Sequence, residues 1–227
     1  MLLQDKVAVL YGAGGAIGGA VAQAFSREGA RLFLTGHRRA PVDTLAKEIV
    51  SAGGVAEAAE VDALDEQAID AHLRSVTDQA GRVDVSFNAV GVPDAEILGV
   101  PLVELDLERF SLPITAYTRS YFLTSRLAAR RMVAQGSGVI MTVTSIPSRS
   151  GTALQGGYPP AQAAKESLTR DLSAELAPHG IRVVGLRPNG IPETATLREA
   201  FEPRATATGM TWEQWQEQLA ARTHRAC

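Results

Sequence analysis

A glycine-rich segment near the N-terminus lies between an apolar run and a helical pattern. Residues 7–10 are apolar, as in a short buried strand, and apolar residues then recur at helical spacing at Val21 and Phe25. Glycines there allow a tight turn and let a phosphate approach the backbone N–H groups at the helix start. A turn that binds nothing would have the same glycines. The candidate phosphate-binding positions are Gly12, Gly14, Gly15, Ile17 and Gly18.

Basic residues follow the second predicted strand, residues 31–35. The sequence continues with Gly36, His37, Arg38 and Arg39, and no acidic residue occurs before Asp43. In dinucleotide-binding folds, an acidic residue at this point holds the ribose hydroxyls of NAD, whereas a basic residue accommodates the extra phosphate of NADP. Arg38 therefore favours NADP(H) over NAD(H), although a solvated basic turn fits the same pattern.

Six predicted strands alternate with predicted helices along the chain. The longest helix covers about residues 107–134, and we expect Pro113 to interrupt or bend it. This alternation predicts an α/β fold, a three-layered, doubly wound parallel sheet (Rossmann fold) with a crevice at the carboxyl ends of its strands. Residues 1–191 would form the dinucleotide-binding and catalytic core, and residues 192–227 a helical segment of the same domain.

The composition argues against several other classes of protein. The net charge of the 227 residues is −3, which gives no reason to expect nucleic acid or a membrane surface as partner. The single cysteine and the scattered histidines offer no metal site. No apolar run approaches the roughly 20 residues of a membrane span, and the N-terminus is unlike a signal peptide. We therefore expect a cytoplasmic protein.

Several motifs, in order, resemble those of the short-chain dehydrogenase/reductase family over about residues 6–191. The glycine segment matches the family pattern Gly-xxx-Gly-x-Gly, with Ala16 in place of the middle glycine. Residues 88–91 are similar to the Asn-Asn-Ala-Gly segment, and residues 188–190 to the Pro-Gly turn beside the nicotinamide. The resemblance implies an NAD(P)-dependent oxidoreductase acting on a small carbonyl or alcohol substrate. It also implies further cofactor-binding positions at Asp62, Asn88, Gly91, Pro188 and Gly190.

The catalytic pattern of the family is Tyr-xxx-Lys with a serine thirteen residues before the tyrosine. Aligning Lys165 with the family lysine would put Ala161 at the tyrosine position. Aligning Tyr158 instead places Ser145 thirteen residues upstream and matches the helix downstream. In this register the resemblance implies that Tyr158 moves the proton and Ser145 hydrogen-bonds the substrate oxygen, while Gln162 occupies the lysine position.

The chain departs from the family at several catalytic positions. The family lysine binds the ribose and favours the tyrosine phenolate by its charge, whereas Gln162 can only hydrogen-bond. Lys165 lies three positions further along, in a direction that differs by most of a turn, so we do not expect it to replace that charge. Tyr117 stands at the position of the family asparagine. Because proline restricts the residue before it, Pro159 predicts that Tyr158 lies just outside the helix.

The C-terminal segment is also unusual for the family. Trp212, Trp215 and Leu219 would share one face of a helix, as in a substrate-covering segment, although plain packing would explain them equally well. The last strand of the family sheet is missing from the pattern. We therefore expect an exposed sheet edge and a homo-oligomer weakened by the short C-terminus.

Two functions fit these observations. One is an NADP(H)-dependent oxidoreductase of the short-chain type, since the serine and tyrosine keep their spacing. The other is a catalytically degenerate, dinucleotide-binding relative that acts through a partner, since the lysine and asparagine are replaced. The residues give no substrate identity.

Overall fold

The computed structural model describes residues 1–92, 98–188, 198, 201–202, 205–206 and 209–223, apart from the side chains of residues 219, 222 and 223. Six parallel strands form one sheet in the order β3-β2-β1-β4-β5-β6. The strands are β1 (Val7–Tyr11), β2 (Arg31–Gly36), β3 (Val55–Glu60), β4 (Val85–Asn88), β5 (Gly138–Val143) and β6 (Ile181–Leu186).

Six helices with described bounds connect or follow the strands, and local signals explain several of their ends. The Asp65 side chain accepts hydrogen bonds from two backbone N–H groups at the start of α3, and Asp106 caps α4 in the same way. Gly81 and Gly136 end these helices in the left-handed conformation. The helices are α1 (Ala16–Arg27), α2 (Arg39–Ser51), α3 (Glu66–Ala80), α4 (Leu107–Gln135), α5 (Tyr158–Leu176) and α6 (Trp212–Thr223).

The sheet is covered by helices on both faces, as the alternating pattern predicts. Alternate residues of β1 point to opposite sides. Ala8 and Leu10 pack with α1 and α2, whereas Val7 and Val9 pack with α3, α4 and α5. The strand order reverses between β1 and β4, so the crevice at their carboxyl ends is where such a fold binds its ligand. The predicted three-layered Rossmann-type fold is confirmed.

The structure bears on two expectations about prolines. Pro113 does not interrupt helix α4, because one lost backbone bond is outweighed by the long buried face of a 29-residue helix. Tyr158 is the first residue of α5 and not a residue outside it. Pro159 and Pro160 are tolerated there because the first N–H groups of a helix have no partner within it.

The outer edge of β6 has no strand beside it within the part of the chain that the structure describes. Val184 and Leu186 are exposed on the sheet face opposite α4 and α5. The expected six-stranded sheet is observed for the described residues.

Among the described helices, none is long and apolar enough to cross a membrane.

Candidate active site

The glycine segment forms a tight turn from the end of β1 into α1, and its glycines serve two different purposes. Gly12 has a φ of +73°, and a Cβ on it would lie 2.6 Å from the carbonyl oxygen of Ala89. A Cβ on Gly18 would clash with the carbonyl of Gly12. Both positions therefore require glycine because a side chain would clash with neighbouring backbone atoms, whether or not a cofactor binds. Gly14 and Gly15 are exposed before the first turn of α1, where a phosphate could approach the backbone.

Arg38 lies beside this turn. It is exposed and directly precedes α2, and no carboxylate among the described residues pairs with it. The neighbouring Arg39, in contrast, forms an ion pair with Asp43 at 3.2 Å. A Cβ on Gly14 would lie 2.9 Å from the Cβ of Pro41, so the glycine turn and the start of α2 are in close proximity.

The other predicted cofactor positions that the structure describes lie at the carboxyl edge of the sheet, and two of them have structural contacts of their own. Asp62 is exposed after β3, and its Oδ1 accepts a hydrogen bond from the N–H of Leu64 at 2.8 Å. Asn88 is buried at the end of β4, and its Nδ2 donates to the Thr124 hydroxyl at 3.1 Å. Gly91 is exposed and Pro188 half-buried. Gly190 lies outside the described residues.

Ser145 and Tyr158 are both half-buried at this edge. Ser145 follows β5 and begins a short 3-10 turn that packs on α5. Tyr158 begins α5, and its ring meets the ring of Tyr117 edge to face, with 5.7 Å between the ring centres. The Tyr117 hydroxyl accepts a hydrogen bond from the N–H of Val92 at 3.2 Å. The structure thus brings together Tyr158 and Tyr117, the residue expected at the position of the family asparagine.

Gln162 and Lys165 both lie on the buried side of α5, which corrects the expectation that they point in different directions. Side chains three residues apart differ in direction around the helix axis by about 300°, so Gln162 and Lys165 are only about 60° apart. Gln162 is 2% exposed, and its Oε1 has no hydrogen-bond partner among the described residues. Lys165 is 1% exposed, and its Nζ donates to the carbonyl of Val143 at 2.6 Å. Burial lowers the pKa of Lys165 to about 7.

The carboxylate of Glu166 is the most densely bonded group near the site. Four side chains donate hydrogen bonds to it: Arg187 at 2.6 Å, Ser148 at 2.7 Å, Arg149 at 2.9 Å and Thr144 at 3.3 Å. Burial alone would raise the pKa of Glu166, but the hydrogen bonds from Arg187, Ser148 and Arg149 lower it to about 2. The carboxylate therefore joins the loop that carries Ser145, the end of β6 and the helix that carries Tyr158.

Sequence reasoning missed this cluster. The available signal was an acidic residue on the inner face of a predicted helix, with one arginine after each of the last two predicted strands. Since charged residues are rarely buried without partners, a buried acid at this position is expected to form ion pairs with such arginines.

The aromatic residues near the C-terminus stack on one another. Trp212 and Trp215 of α6 have ring centres 5.1 Å apart, and Phe201 stacks on Trp215 at 5.0 Å. Trp212 is buried. The side chain of Leu219 lies outside the described residues.

Comparison with known proteins places these features in a family. A family model for short chain dehydrogenases matches residues 6–205. The chain belongs to the short-chain dehydrogenase family. This short-chain dehydrogenase is accordingly an oxidoreductase of alcohol or carbonyl substrates, and the family binds NAD(P).

Relatives of this short-chain dehydrogenase act on different molecules, as their names indicate. An L-rhamnose 1-dehydrogenase (NAD(P)(+)) from Azotobacter vinelandii is 37% identical over 198 residues, covering 84% of this chain and 75% of that protein. A 7alpha-hydroxysteroid dehydrogenase from Escherichia coli is 29% identical, covering 88% of this chain and 76% of that protein. The crystal structure of sorbitol-6-phosphate 2-dehydrogenase from Erwinia amylovora has a TM-score of 0.86 at 26% identity, covering 93% of this chain and 82% of that chain.

Removing the charge of Glu166 should destabilise this short-chain dehydrogenase. Glu166→Gln removes the charged acceptor of Arg149 and Arg187, so the free energy of unfolding at pH 7 should fall by about 1.5–3 kcal/mol. The folded-state pKa lies below the ordinary value of 4.5, so the stabilisation is complete above that value and is lost as pH falls toward 2. Urea unfolding at pH 7 and pH 4 measures both effects. Glu175→Gln, at an exposed position of the same helix, is the control, and an equal loss in both variants would contradict the role of the cluster.

We expect any side chain at Gly157 to lower the stability of the fold. A Cβ there would collide with the carbonyl oxygen of Phe110 and lie 3.1 Å from Pro113, so the start of α5 would have to move and displace Tyr158. Gly157→Ala should lower stability by about 1–3 kcal/mol. Gly151→Ala, where a Cβ would meet nothing within 4 Å, is the matched control. Thermal unfolding of the two variants tests this, and similar melting temperatures would refute the packing argument.

Proposed function

We propose that this short-chain dehydrogenase uses NADP(H) to interconvert a carbonyl and an alcohol group of a small molecule, with Tyr158 as general acid and base. Ser145 hydrogen-bonds the substrate oxygen. The observation that carries the proposal is the position of Tyr158, half-exposed in the first turn of α5, the helix that packs against the 3-10 turn that Ser145 begins. Both residues lie at the edge of the sheet where the glycine turn opens.

The residues present fit a dinucleotide. Gly14 and Gly15 would lie against the pyrophosphate, because their missing side chains leave the N-terminus of α1 open. The orphaned Oε1 of Gln162 would accept a hydrogen bond from a ribose hydroxyl. Asp62, Asn88, Gly91, Pro188 and Gly190 are proposed as the remaining cofactor-binding positions from the family pattern. The bound nicotinamide supplies or accepts the hydride.

The side chains of the chain itself handle the proton and the orientation of the substrate. In reduction, the phenol of Tyr158 gives its proton to the carbonyl oxygen as the hydride arrives at the carbon. In oxidation, the phenolate takes the proton of the alcohol. Because a phenol in water has a pKa of about 10, oxidation should be favoured by alkaline pH. The hydroxyl of Ser145 holds the oxygen in line with that proton.

Arg38 supports NADP(H) over NAD(H). Its side chain is exposed just before α2, whose first turn lies close to the glycine turn, and it is not engaged by any described carboxylate. A guanidinium can make charge-assisted hydrogen bonds to a phosphate, which the ribose of NAD does not carry.

The residues at two family positions favour a second candidate function. In it, the protein binds a dinucleotide but does not catalyse a reaction. Gln162 is neutral where the family has lysine, and Tyr117 fills the place of asparagine and contacts Tyr158. Such a protein would bind the cofactor and act through a partner.

Substituting Arg38 should separate the two cofactors. Arg38→Ala should weaken NADPH binding by about tenfold or more, since a hydrogen bond between charged groups contributes about 1.5–3 kcal/mol. NADH binding should change little. Fluorescence titration with each cofactor measures this, and Arg182→Ala, an exposed arginine on the edge strand β6, is the control. Equal losses for NADPH and NADH would contradict the proposed phosphate contact.

Substituting Tyr158 should separate the two functions. Tyr158→Phe should reduce turnover by about 100-fold or more while cofactor affinity stays unchanged, because only the proton donor is removed. Steady-state assays with L-rhamnose, hexitol phosphates and hydroxysteroids, chosen from the names of the relatives, provide the readout. Tyr11→Phe is the matched control, since the buried Tyr11 hydroxyl has no described hydrogen-bond partner. Cofactor binding without turnover in the unmodified protein would favour the binding function.

A further inference from the structure

Gln155 is a buried polar residue close to Tyr158 that the proposed reaction leaves without a role. It stands three residues before Tyr158, and its backbone carbonyl accepts a hydrogen bond from the N–H of Tyr158 at 3.1 Å. The residue is only 4% exposed, and its side-chain Oε1 is buried without a hydrogen-bond partner among the described residues. An amide with an unused acceptor is thus attached, through its backbone, to the residue that would transfer the proton.

An unpartnered amide oxygen at this depth is costly. A buried acceptor that has lost its hydrogen bond to water destabilises the folded state, so each such atom calls for a reason. Gln135 shows the usual arrangement, because its amide oxygen accepts from the N–H of Val83 at 2.9 Å and its Nε2 donates to the carbonyl of Val83 at 2.9 Å. A hydrogen-bond donor that arrives with a ligand would explain the glutamine at position 155.

The backbone around Gln155 is held in an unusual conformation. Leu154 has a φ of +63°, in the left-handed region that leucine rarely adopts, and its carbonyl accepts a hydrogen bond from the N–H of Gly99 at 2.9 Å. On the other side, Gly157 packs so closely on the carbonyl of Phe110 that a Cβ would not fit. Strained backbone persists where the surrounding structure fixes it, and it is common at ligand-binding sites. The backbone is therefore fixed on both sides of Gln155 in the free protein.

The position of Gln155 in the chain favours the substrate as its partner. It belongs to the loop that Ser145 begins after β5 and that leads into Tyr158 at the start of α5. Gln162, which follows Tyr158 by one turn of α5, has the other amide oxygen that is buried and unpartnered among the described residues, and it is proposed to bind the ribose. The two amides bracket Tyr158 in sequence, which leaves Gln155 for the substrate.

The chemistry of an amide selects the kind of group that it would bind. Its oxygen accepts a hydrogen bond and its NH2 group donates, and a hydroxyl group can do both in return. A neutral amide does not compensate the charge of a phosphate or a carboxylate. The side chain therefore suits an uncharged hydroxyl group of the substrate.

We propose that Gln155 is a specificity-determining residue whose side-chain amide hydrogen-bonds a hydroxyl group next to the reacting carbon of the substrate. This inference rests on the proposed function. The preferred substrates would be hydroxylated carbonyl compounds, as in sugars, rather than plain ketones. A substrate without the hydroxyl would leave the buried amide unpaired in the complex, and such a mismatch lowers kcat/KM.

The first test compares two glutamines and needs no substrate. Gln155→Met removes an amide whose oxygen has no described partner, so the melting temperature should stay the same or rise. Gln135→Met removes an amide bonded at both ends to Val83, so the melting temperature should fall. Gln155→Leu repeats the test with a second apolar side chain. A clear fall in both variants at position 155 would show that the amide is structural and would overturn the inference.

The second test uses two ketones that differ by one hydroxyl group, 2-hydroxycyclohexanone and cyclohexanone. The unmodified protein should reduce the hydroxy ketone with a kcat/KM about tenfold or more above that for cyclohexanone. Gln155→Met should lower the value for the hydroxy ketone by about tenfold and leave that for cyclohexanone unchanged. The affinity for NADPH, measured by fluorescence titration, should also stay unchanged.

The outcomes separate this inference from the proposed function. Equal losses for the two ketones, or an unchanged preference in Gln155→Met, would overturn the role of Gln155 while turnover itself stands. A loss of NADPH affinity in this variant would assign the amide to the cofactor and would also overturn the inference. Absence of turnover in the unmodified protein with both ketones and with the substrates named above would instead overturn the proposed function.

Discussion

The architecture of the candidate site depends on one buried carboxylate. Glu166 accepts hydrogen bonds from residues after β5 and after β6, while its own backbone belongs to α5. An uncompensated charge at this depth would be costly, so the donors and the acceptor must fold together. Since Ser145 precedes one of these segments and Tyr158 begins the helix that carries Glu166, the ion cluster helps to fix the position of Ser145 relative to Tyr158.

The two sides of the sheet contribute differently to the site. On one side, α1 and α2 bring together the glycine turn and Arg38. On the other side, α4 and α5 bring together Tyr117 and Tyr158, with Gln162 buried on the same helix as Tyr158. The carboxyl edge of the parallel sheet is where residues from both helix layers meet, so a cofactor bound there could contact both layers.

Much of this fold could be predicted from the sequence, because apolar periodicity reports which face of a strand or helix is buried. The six strands and the connecting helices follow from that pattern. Local rules failed at Pro113 and Pro159, where tertiary packing and the unpartnered first turn of a helix outweigh the preference of proline. The Glu166 cluster could not be predicted, since its partners are distant in sequence and meet only through the parallel sheet.

Tyr117 and Gln162, the residues expected at two family positions, are physically consistent with the buried Lys165 beside them in the fold. With Lys165 buried on the inner face of α5, a lysine at position 162 would place two ammonium groups on one helix stripe, and like charges at that spacing repel. The neutral Gln162 avoids this conflict. An asparagine at position 117 would offer Lys165 no aromatic face, whereas Tyr117 does. The aromatic ring of Tyr117 and the neutral amide of Gln162 are therefore both compatible with a buried ammonium group at Lys165.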